Sequence, residues 1–456
     1  MTATSNATPA PVLRLRRVEL YERPVVLRLP FRFGAATVTR CPQAFVRIEA
    51  EVAGRTWVGA SAELMVPKWF DKSPALTHEQ NFEQLREALR RAREALHGAA
   101  GNPWVLHTIG ESALQGTTAG RLPALAAQFG PAVLDKAIAD AALQAVGRGW
   151  CDGVPAGVLG DPFAPRLRWP ARPDAVWVRH TVGLADRLTP DDAGADPDDG
   201  LPATLAEAIS RYGLRRFKLK LSGRADADLA RLAAIAAVLP ATDDVQVTLD
   251  GNESFADPAA LADFWRRLVE TPGLATLHRR TVLLEQPLPR AIALATRVDG
   301  LGIDRPMILD ESDDHDSALD EGLALGYRGI SSKACKGLYR ALRNAVELQG
   351  RPGTLLSGED LTCQAGLAVQ QDSLLAASLG VADVERNGHH YVDGFGSAPA
   401  DEAAAFLDAH PGLYERDAAG RVHLRIVGGR IELSSLHTPG FAHAAAPRWD
   451  RLTPLN

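Results

Sequence analysis

The sequence predicts a mixed α/β protein in which a closed parallel barrel of alternating strands and helices follows an α+β segment. Three observations support this. From about residue 176 onward, short apolar or β-branched runs recur, separated by stretches long enough for a helix and a return. Five of these runs end in a lysine or a carboxylate: Phe217-Lys218-Leu219-Lys220, Thr248-Leu249-Asp250, Leu283-Leu284-Glu285, Ile308-Leu309-Asp310 and Ser331-Ser332-Lys333. A closed parallel barrel gathers its strand ends at one mouth, so residues spread along the sequence meet there. The first 150 or so residues lack this rhythm and read as strands followed by helices.

Taken in order, residues 12–58 favour strands, with Pro24-Val25-Val26-Leu27-Arg28-Leu29 and Ala44-Phe45-Val46-Arg47-Ile48-Glu49 as the clearest runs. Residues 77–96 and 124–148 carry apolar positions at helical spacing, as in Leu85, Leu89, Ala92 and Leu96. The Pro/Gly-rich stretch 153–172 places a boundary, giving an N-terminal α+β domain over 1–160, a barrel over 161–400 and a C-terminal segment over 401–456 that returns to the first domain. Eight barrel strands are expected, over 176–182, 217–221, 245–249, 282–284, 306–309, 329–332, 353–356 and 382–385, with helices such as 228–239, 261–270 and 338–349 between them. Strand–helix units of this length imply right-handed crossovers and a parallel sheet. In the last segment, Val422–Val427 and Arg430–Leu433 flank Gly428-Gly429 and predict a hairpin.

Composition narrows the function. A chain of 456 residues, 46% hydrophobic, with a mean hydropathy of -0.10, suits an ordinary soluble protein of two domains, or of one barrel with additions. The net charge of -6 offers no basic footprint for nucleic acid. No apolar run reaches the roughly 18 residues that cross a bilayer. Cys41, Cys151, Cys335 and Cys363 are scattered, without metal spacing or disulfide density, and the opening Met1–Asn6 is polar rather than signal-like, so a reduced cytoplasmic setting is expected.

Side chains alternate along a strand, so Lys218 and Lys220 point one way while Phe217, Leu219 and Leu221 point the other. The same parity puts Asp250 with Thr248 and Glu285 with Leu283, and separates Asp310 from Glu311, of which Asp310 is taken as the inward one. Asp250, Glu285 and Asp310 form an oxygen-only set suited to a hard divalent cation, Mg²⁺ first and Mn²⁺ as the alternative. Any one of them alone would read as a strand-end carboxylate paired with a surface lysine, and Lys333 alone as an exposed loop lysine like Lys336; three on successive strands between lysines change that balance. An unperturbed ammonium holds its proton at neutral pH, but crowding Lys220 beside Lys218 and a dication disfavours its charged form. Two lysines on opposite sides of one carbon can then exchange a proton across it.

The arrangement resembles the enolase superfamily, and within it the muconate lactonizing enzyme subgroup with its muconate cycloisomerases, dipeptide epimerases and o-succinylbenzoate synthases. The motifs are Lys218-Leu219-Lys220, Asp250-Gly251-Asn252, Glu285-Gln286-Pro287, Asp310-Glu311-Ser312 and Lys333-Ala334-Cys335-Lys336-Gly337, in order and at barrel spacing. The resemblance covers nearly the whole chain and implies a (β/α)7β barrel of TIM type under an α+β capping domain, a homo-oligomer, and a small carboxylate as substrate. It further implies Lys220 and Lys333 as the acid/base pair, Lys218 as a supporting charge, and Mg²⁺ on Asp250, Glu285 and Asp310. The expected chemistry is removal of the proton α to a carboxylate, leading to racemisation or epimerisation; cycloisomerisation or syn-dehydration from the same intermediate is the alternative, and a non-catalytic ligand-binding protein is the alternative of another class.

Asn252, Glu311, Glu359 and Glu385 are candidates for substrate contact or for support around the ligands. Glu359 and Asp360 would otherwise cap the next helix, and His389 and His390 either touch substrate or lie in solvent. Phe31–Gly34 and Met65–Phe70 fall where the family's capping domain lowers specificity loops, or pack locally. The chain departs from the family's pattern at Ser331, where an asparagine is common, at Gly337-Leu338, and at Glu385-Arg386-Asn387, where the epimerases carry two aspartates one residue apart for a dipeptide's amino group. These departures spare the proton chemistry and weigh against a dipeptide.

Overall fold

The computed structural model describes residues 9–34, 36–115, 122–194 and 196–456; the opening Met1–Asn6 lies outside them. Three long antiparallel strands, β1 (Leu13–Phe33), β2 (Ala36–Val52) and β3 (Arg55–Leu64), make up most of the five-stranded N-terminal sheet in the order β1-β2-β3, with Val18 opposite Ile48 and Val46 opposite Ser61. The helix α1 (His78–Leu96) starts at a capping box, Thr77 and Gln80 each satisfying the other's backbone N–H, and buries Phe82, Leu85, Leu89, Ala92 and Leu96. Two more helices follow, α2 (Pro103–Gln115) and α3 (Ala124–Ala145). α3 is buried along most of its length because it runs between the sheet, α1 and the barrel. Glycine permits these close crossings: a Cβ on Gly59 would lie 2.0 Å from the Ala137 carbonyl oxygen, and one on Gly130 would lie 2.2 Å from that of Ala88.

The barrel strands are Ala175–Val182, Arg216–Lys220, Gln246–Asp250, Thr281–Glu285, Met307–Ile308, Gly329–Ser332, Leu355–Gly358 and Asp383–Arg386, hereafter the first to eighth. All neighbours are parallel, and the eighth pairs with the first through Val384 and Val178. The seam between fifth and sixth closes through a bridge from Leu309 to Ile330, with Leu309 N–H donating to Gly329 at 3.1 Å and Ser331 N–H to Leu309 at 2.7 Å. Phe217, Leu219, Val247, Leu249, Leu284, Ile308 and Ile330 are fully buried along these strands. The helix after the fourth strand is only Arg290–Ala293, and the eighth strand runs into the short helix Gly388–Tyr391.

The tail corrects one expectation. Gly428-Gly429 does make a turn, with Val427 bridged to Arg430, but its flanks pair elsewhere. Val422–Leu424 pairs with Tyr414–Arg416, while Arg430–Glu432 lies antiparallel on the first barrel strand. The reason is apolar burial and ring contact: Ile431 is fully buried opposite Val176, and the guanidinium groups of Arg430 and Arg216 lie 4.0 Å and 4.7 Å from the Trp177 ring. Thr453–Pro454 then pairs with β1, and Asp140 of α3 accepts from the Phe441 backbone at 2.8 Å and faces His443 at 2.5 Å.

Candidate active site

The second barrel strand sends Lys218 and Lys220 inward together. Their ammonium nitrogens lie 2.8 Å and 2.6 Å from the same oxygen, Asp250 Oδ2, at the end of the third strand. Lys218 is enclosed by anions: Glu285 at 2.8 Å, Glu385 at 2.9 Å, and Glu359, to which it donates directly. Burial opposes its charge, but Asp250, Glu285, Glu359 and Glu385 outweigh that and hold it well above the ordinary lysine range. Lys333, beyond the sixth strand, sits 3.2 Å from Asp310 and 3.1 Å from Glu359, with the Trp69 ring 5.4 Å away. Burial again opposes its charge, and Asp310 and Glu359 raise it well above the usual value.

Among the described residues, the one group of three carboxylates whose oxygens all lie within 4.8 Å of one another is Asp250, Glu285 and Glu359. Asp310, expected as the third member, is turned toward Lys333 and toward Lys336, whose nitrogen lies 3.0 Å from its Oδ1. The physical reason is local. The fifth strand stops at Ile308 and Asp310 sits in the turn beyond it, where strand parity no longer governs direction. Glu311 faces a different set of partners, accepting from Lys72 at 3.0 Å and from Asn252 at 3.3 Å.

The donor set fits a divalent cation. Both oxygens of Glu285 and both of Asp310 are buried without an aligned hydrogen bond, although lysine nitrogens stand at ion-pair distance. Burial and the neighbouring Glu359 push the Glu285 carboxyl well above its ordinary range, whereas for Asp310, although burial works against the anion, Lys333 and Lys336 prevail and lower it. Glu359 is already engaged, with Arg179 at 2.9 Å on one oxygen and Lys218 and Lys333 on the other. Glu385 accepts from Thr181 at 2.6 Å and Asn387 at 2.9 Å as well as from Lys218.

A narrow cavity adjoins this cluster, and Asp310 and Glu385 lie on its wall. Lys220 and Lys333 line it from opposite sides, since the second and sixth strands stand four places apart in an eight-strand ring. Phe31, Phe33, Val66 and Trp69 of the N-terminal domain cover it, and Asn252, Asp360, Thr362 and Asn387 complete the polar wall. The covering loop is clasped down: Lys72 reaches Glu253 at 2.6 Å and Glu311 at 3.0 Å, and Arg290 donates to the backbone carbonyls of Trp69 and Phe70 while pairing with Glu253.

Three expectations need correction. Lys336 is buried, donating to the carbonyls of Asp310 at 2.7 Å and Ser331 at 2.8 Å, because the turn after Lys333 folds it back under the strand ends. Neither Glu359 nor Asp360 caps a helix; Gly366 precedes the next one, and Asp360 instead accepts from Arg386 and from the Thr362 backbone, both at 2.8 Å. His389 and His390 are not solvated. They pack on His180, with His389 Nε2 3.0 Å from His180 Nδ1, and burial holds all three well below the ordinary histidine value; neither lines the cavity. Sequence reasoning also overlooked Lys72, Arg179, Glu253 and Arg290, which no local motif marks because each acts through a contact made across the fold.

No protein-family model matches the chain. A hydrophobic dipeptide epimerase of Citrifermentans bemidjiense is 38% identical over 92 residues, a segment covering 20% of this chain and 22% of that protein. Solved structures match over nearly the full length: the L-Ala-D/L-Glu epimerase of Bacillus subtilis (16% identity, 94% of this chain and 98% of that one, TM-score 0.63), a muconate lactonizing enzyme of Pseudomonas fluorescens (18%, 96% and 98%, 0.64), and a magnesium-bound enolase superfamily member of Roseovarius nubinhibens (19%, 97% and 99%, 0.65). The barrel, the domain lowered onto its mouth and these likenesses together show that the chain has the fold of the enolase superfamily.

Proposed function

We propose that this protein is an enolase superfamily enzyme that removes the proton α to a carboxylate, with Mg²⁺ held by Asp250, Glu285 and Asp310, and that it racemises or epimerises its substrate. The observation that carries the reading is the placement of Lys220 and Lys333 on opposite walls of one cavity, beside buried carboxylate oxygens that lack hydrogen-bond donors. When bound, the cation supplies positive charge for the enediolate oxyanion and offsets the anions that hold the lysines protonated.

Lys220 and Lys333 then serve as the two proton-transfer groups, one for each face of the carbon. Lys218, fully buried on the same strand as Lys220, contributes fixed positive charge. Glu359 and Glu385 orient the lysines, Glu359 contacting Lys218 and Lys333 and Glu385 contacting Lys218, with Lys220 3.9 Å away. The aromatic cover of Phe31, Phe33 and Trp69 excludes water from the reacting centre. Arg386, which pairs with Asp360, and Asn252, which donates to Glu311, position these groups rather than transfer protons. The four free cysteines agree with a reducing, cytoplasmic setting. Incubating the protein in D2O with Mg²⁺ and a panel of α-substituted carboxylic acids tests the reading: the α-proton of at least one acid washes out, and EDTA stops it. No wash-out from any acid, or wash-out that EDTA leaves unchanged, contradicts it.

A further inference from the structure

We infer that Asn387, with Asn252, selects a carboxylate substrate whose second polar group is an uncharged hydrogen-bond donor, an amide N–H or a hydroxyl, attached to an apolar arm, and that the site rejects a free ammonium there. The inference rests on the proton-abstraction reading for the location of the substrate and goes beyond it in naming what the far end of the substrate must be.

Every carboxylate on the cavity wall already has a cation. Asp310 faces Lys333 at 3.2 Å and Lys336 at 3.0 Å; Asp360 accepts from Arg386 at 2.8 Å; Glu385 lies 2.9 Å from Lys218 and accepts from Thr181 and Asn387 besides. An ammonium entering the site would therefore leave water without an anion free to receive it, and burying an unpaired charge is strongly unfavourable. The acceptors left over are neutral. Asn387 donates its Nδ2 to Glu385 and Asn252 donates its Nδ2 to Glu311, which turns the carbonyl oxygen of each amide away from that partner. Those two oxygens, Asn387 Oδ1 and Asn252 Oδ1, are buried without a partner, as is Thr362 Oγ1, and all three residues line the cavity. A lone acceptor in such a wall calls for a donor on the ligand. Apart from Lys220 and Lys333, which the reaction uses, the remaining wall is apolar, formed by Phe31, Phe33, Val66, Trp69 and Leu361, which suits a hydrocarbon or aromatic arm.

The test compares matched ligands on the Mg²⁺-loaded enzyme: leucine, methionine and phenylalanine, each as the free amino acid, the N-acetyl derivative and the 2-hydroxy acid, together with the three corresponding alanyl dipeptides. Binding is read by calorimetry and α-proton exchange by NMR in D2O. The inference expects the N-acetyl or hydroxy form to bind at least tenfold more tightly than the ammonium-bearing forms, and Asn387→Asp to narrow or reverse that ratio. Tighter binding of the ammonium-bearing forms, equal binding of all forms, or no binding of any overturns it. Selective binding without exchange leaves the selection standing and contradicts proton abstraction instead, so the two claims fail separately. Should Asn387→Asp not fold, the wild-type ratios alone decide.

Discussion

Replacing Lys218 by methionine keeps the length of the stem and removes the charge from the middle of the carboxylate cluster. The ammonium lies within 2.8 Å of Asp250 and Glu285 and 2.9 Å of Glu385, besides Glu359, and its side chain is 1% exposed. Removing one partner of a buried charge set costs about 3–5 kcal/mol, because the remaining charges are stranded away from water. At about 2.1 cal/mol/K per residue, unfolding 456 residues as one unit carries an entropy of about 1 kcal/mol/K, so Lys218→Met lowers Tm by about 3–5 °C in EDTA. A divalent cation can take over the lost charge. At a hundredfold excess over its Kd it restores about 2.7 kcal/mol, or about 3 °C, and the Mg²⁺-induced rise is larger in the variant than in the wild type, whose ammonium competes for the same oxygens. Calorimetric scans of both proteins in EDTA and across a Mg²⁺ titration check this. An unchanged Tm in EDTA, or equal Mg²⁺ increments in the two proteins, would refute the view that Lys218 and the cation share one anionic cage.

Equilibrium dialysis should show Mg²⁺ binding abolished in Asp250→Asn and Glu285→Gln and weakened at least tenfold in Asp310→Asn, while Glu359→Gln, whose oxygens already serve Arg179 and two lysines, changes it less; the reverse order of the last two would reassign the third ligand. Burial lowers the His180 pKa to about 3 from an ordinary value of 6.5, so the unfolded chain takes up this proton first. The corresponding stability is present in full above pH 6.5 and is lost as pH falls toward 3, by about 1.4 kcal/mol per unit; urea melts at stepped pH should show a slope shallower by one proton in His180→Gln, and an unaltered slope would contradict the buried neutral cluster. Lys72→Met leaves Glu311 buried without its ammonium partner, and should cost about 3 kcal/mol and make the segment Met65–Lys72 a preferred protease site, whereas an unchanged digestion pattern would show that Arg290 alone clasps the loop.

Much of the barrel was legible because two periodicities fix it. Alternation along a five-residue strand forces Lys218 and Lys220 to one side, and both meet Asp250 there. The order of strands sets Lys333 across from Lys220. Where a strand is short, that logic ends: the fifth has two residues, and Asp310 beyond it takes its direction from Lys333 and Lys336. The tail hairpin failed for a related reason, since Gly428-Gly429 specifies the turn but Ile431 finds its apolar partner on the first barrel strand. His389 and His390 look like loop residues in sequence, and only the packing of His180 and Tyr212 around them makes them interior. Lys72 belongs to a different domain from the carboxylates it holds, a pairing that no local pattern encodes.

The central claim is that two lysines work on opposite faces of one carbon, and α-proton exchange by single-lysine variants tests it most directly. Each enantiomer of a substrate that the wild type exchanges is incubated in D2O with Mg²⁺ and with Lys220→Ala or Lys333→Ala. The account predicts that each variant loses exchange from one enantiomer and keeps some from the other, with the two variants complementary. One lysine governing exchange from both enantiomers, with the other changing only the rate, would replace racemisation by cycloisomerisation or syn-elimination. Undiminished exchange of both enantiomers in either variant would contradict the account altogether.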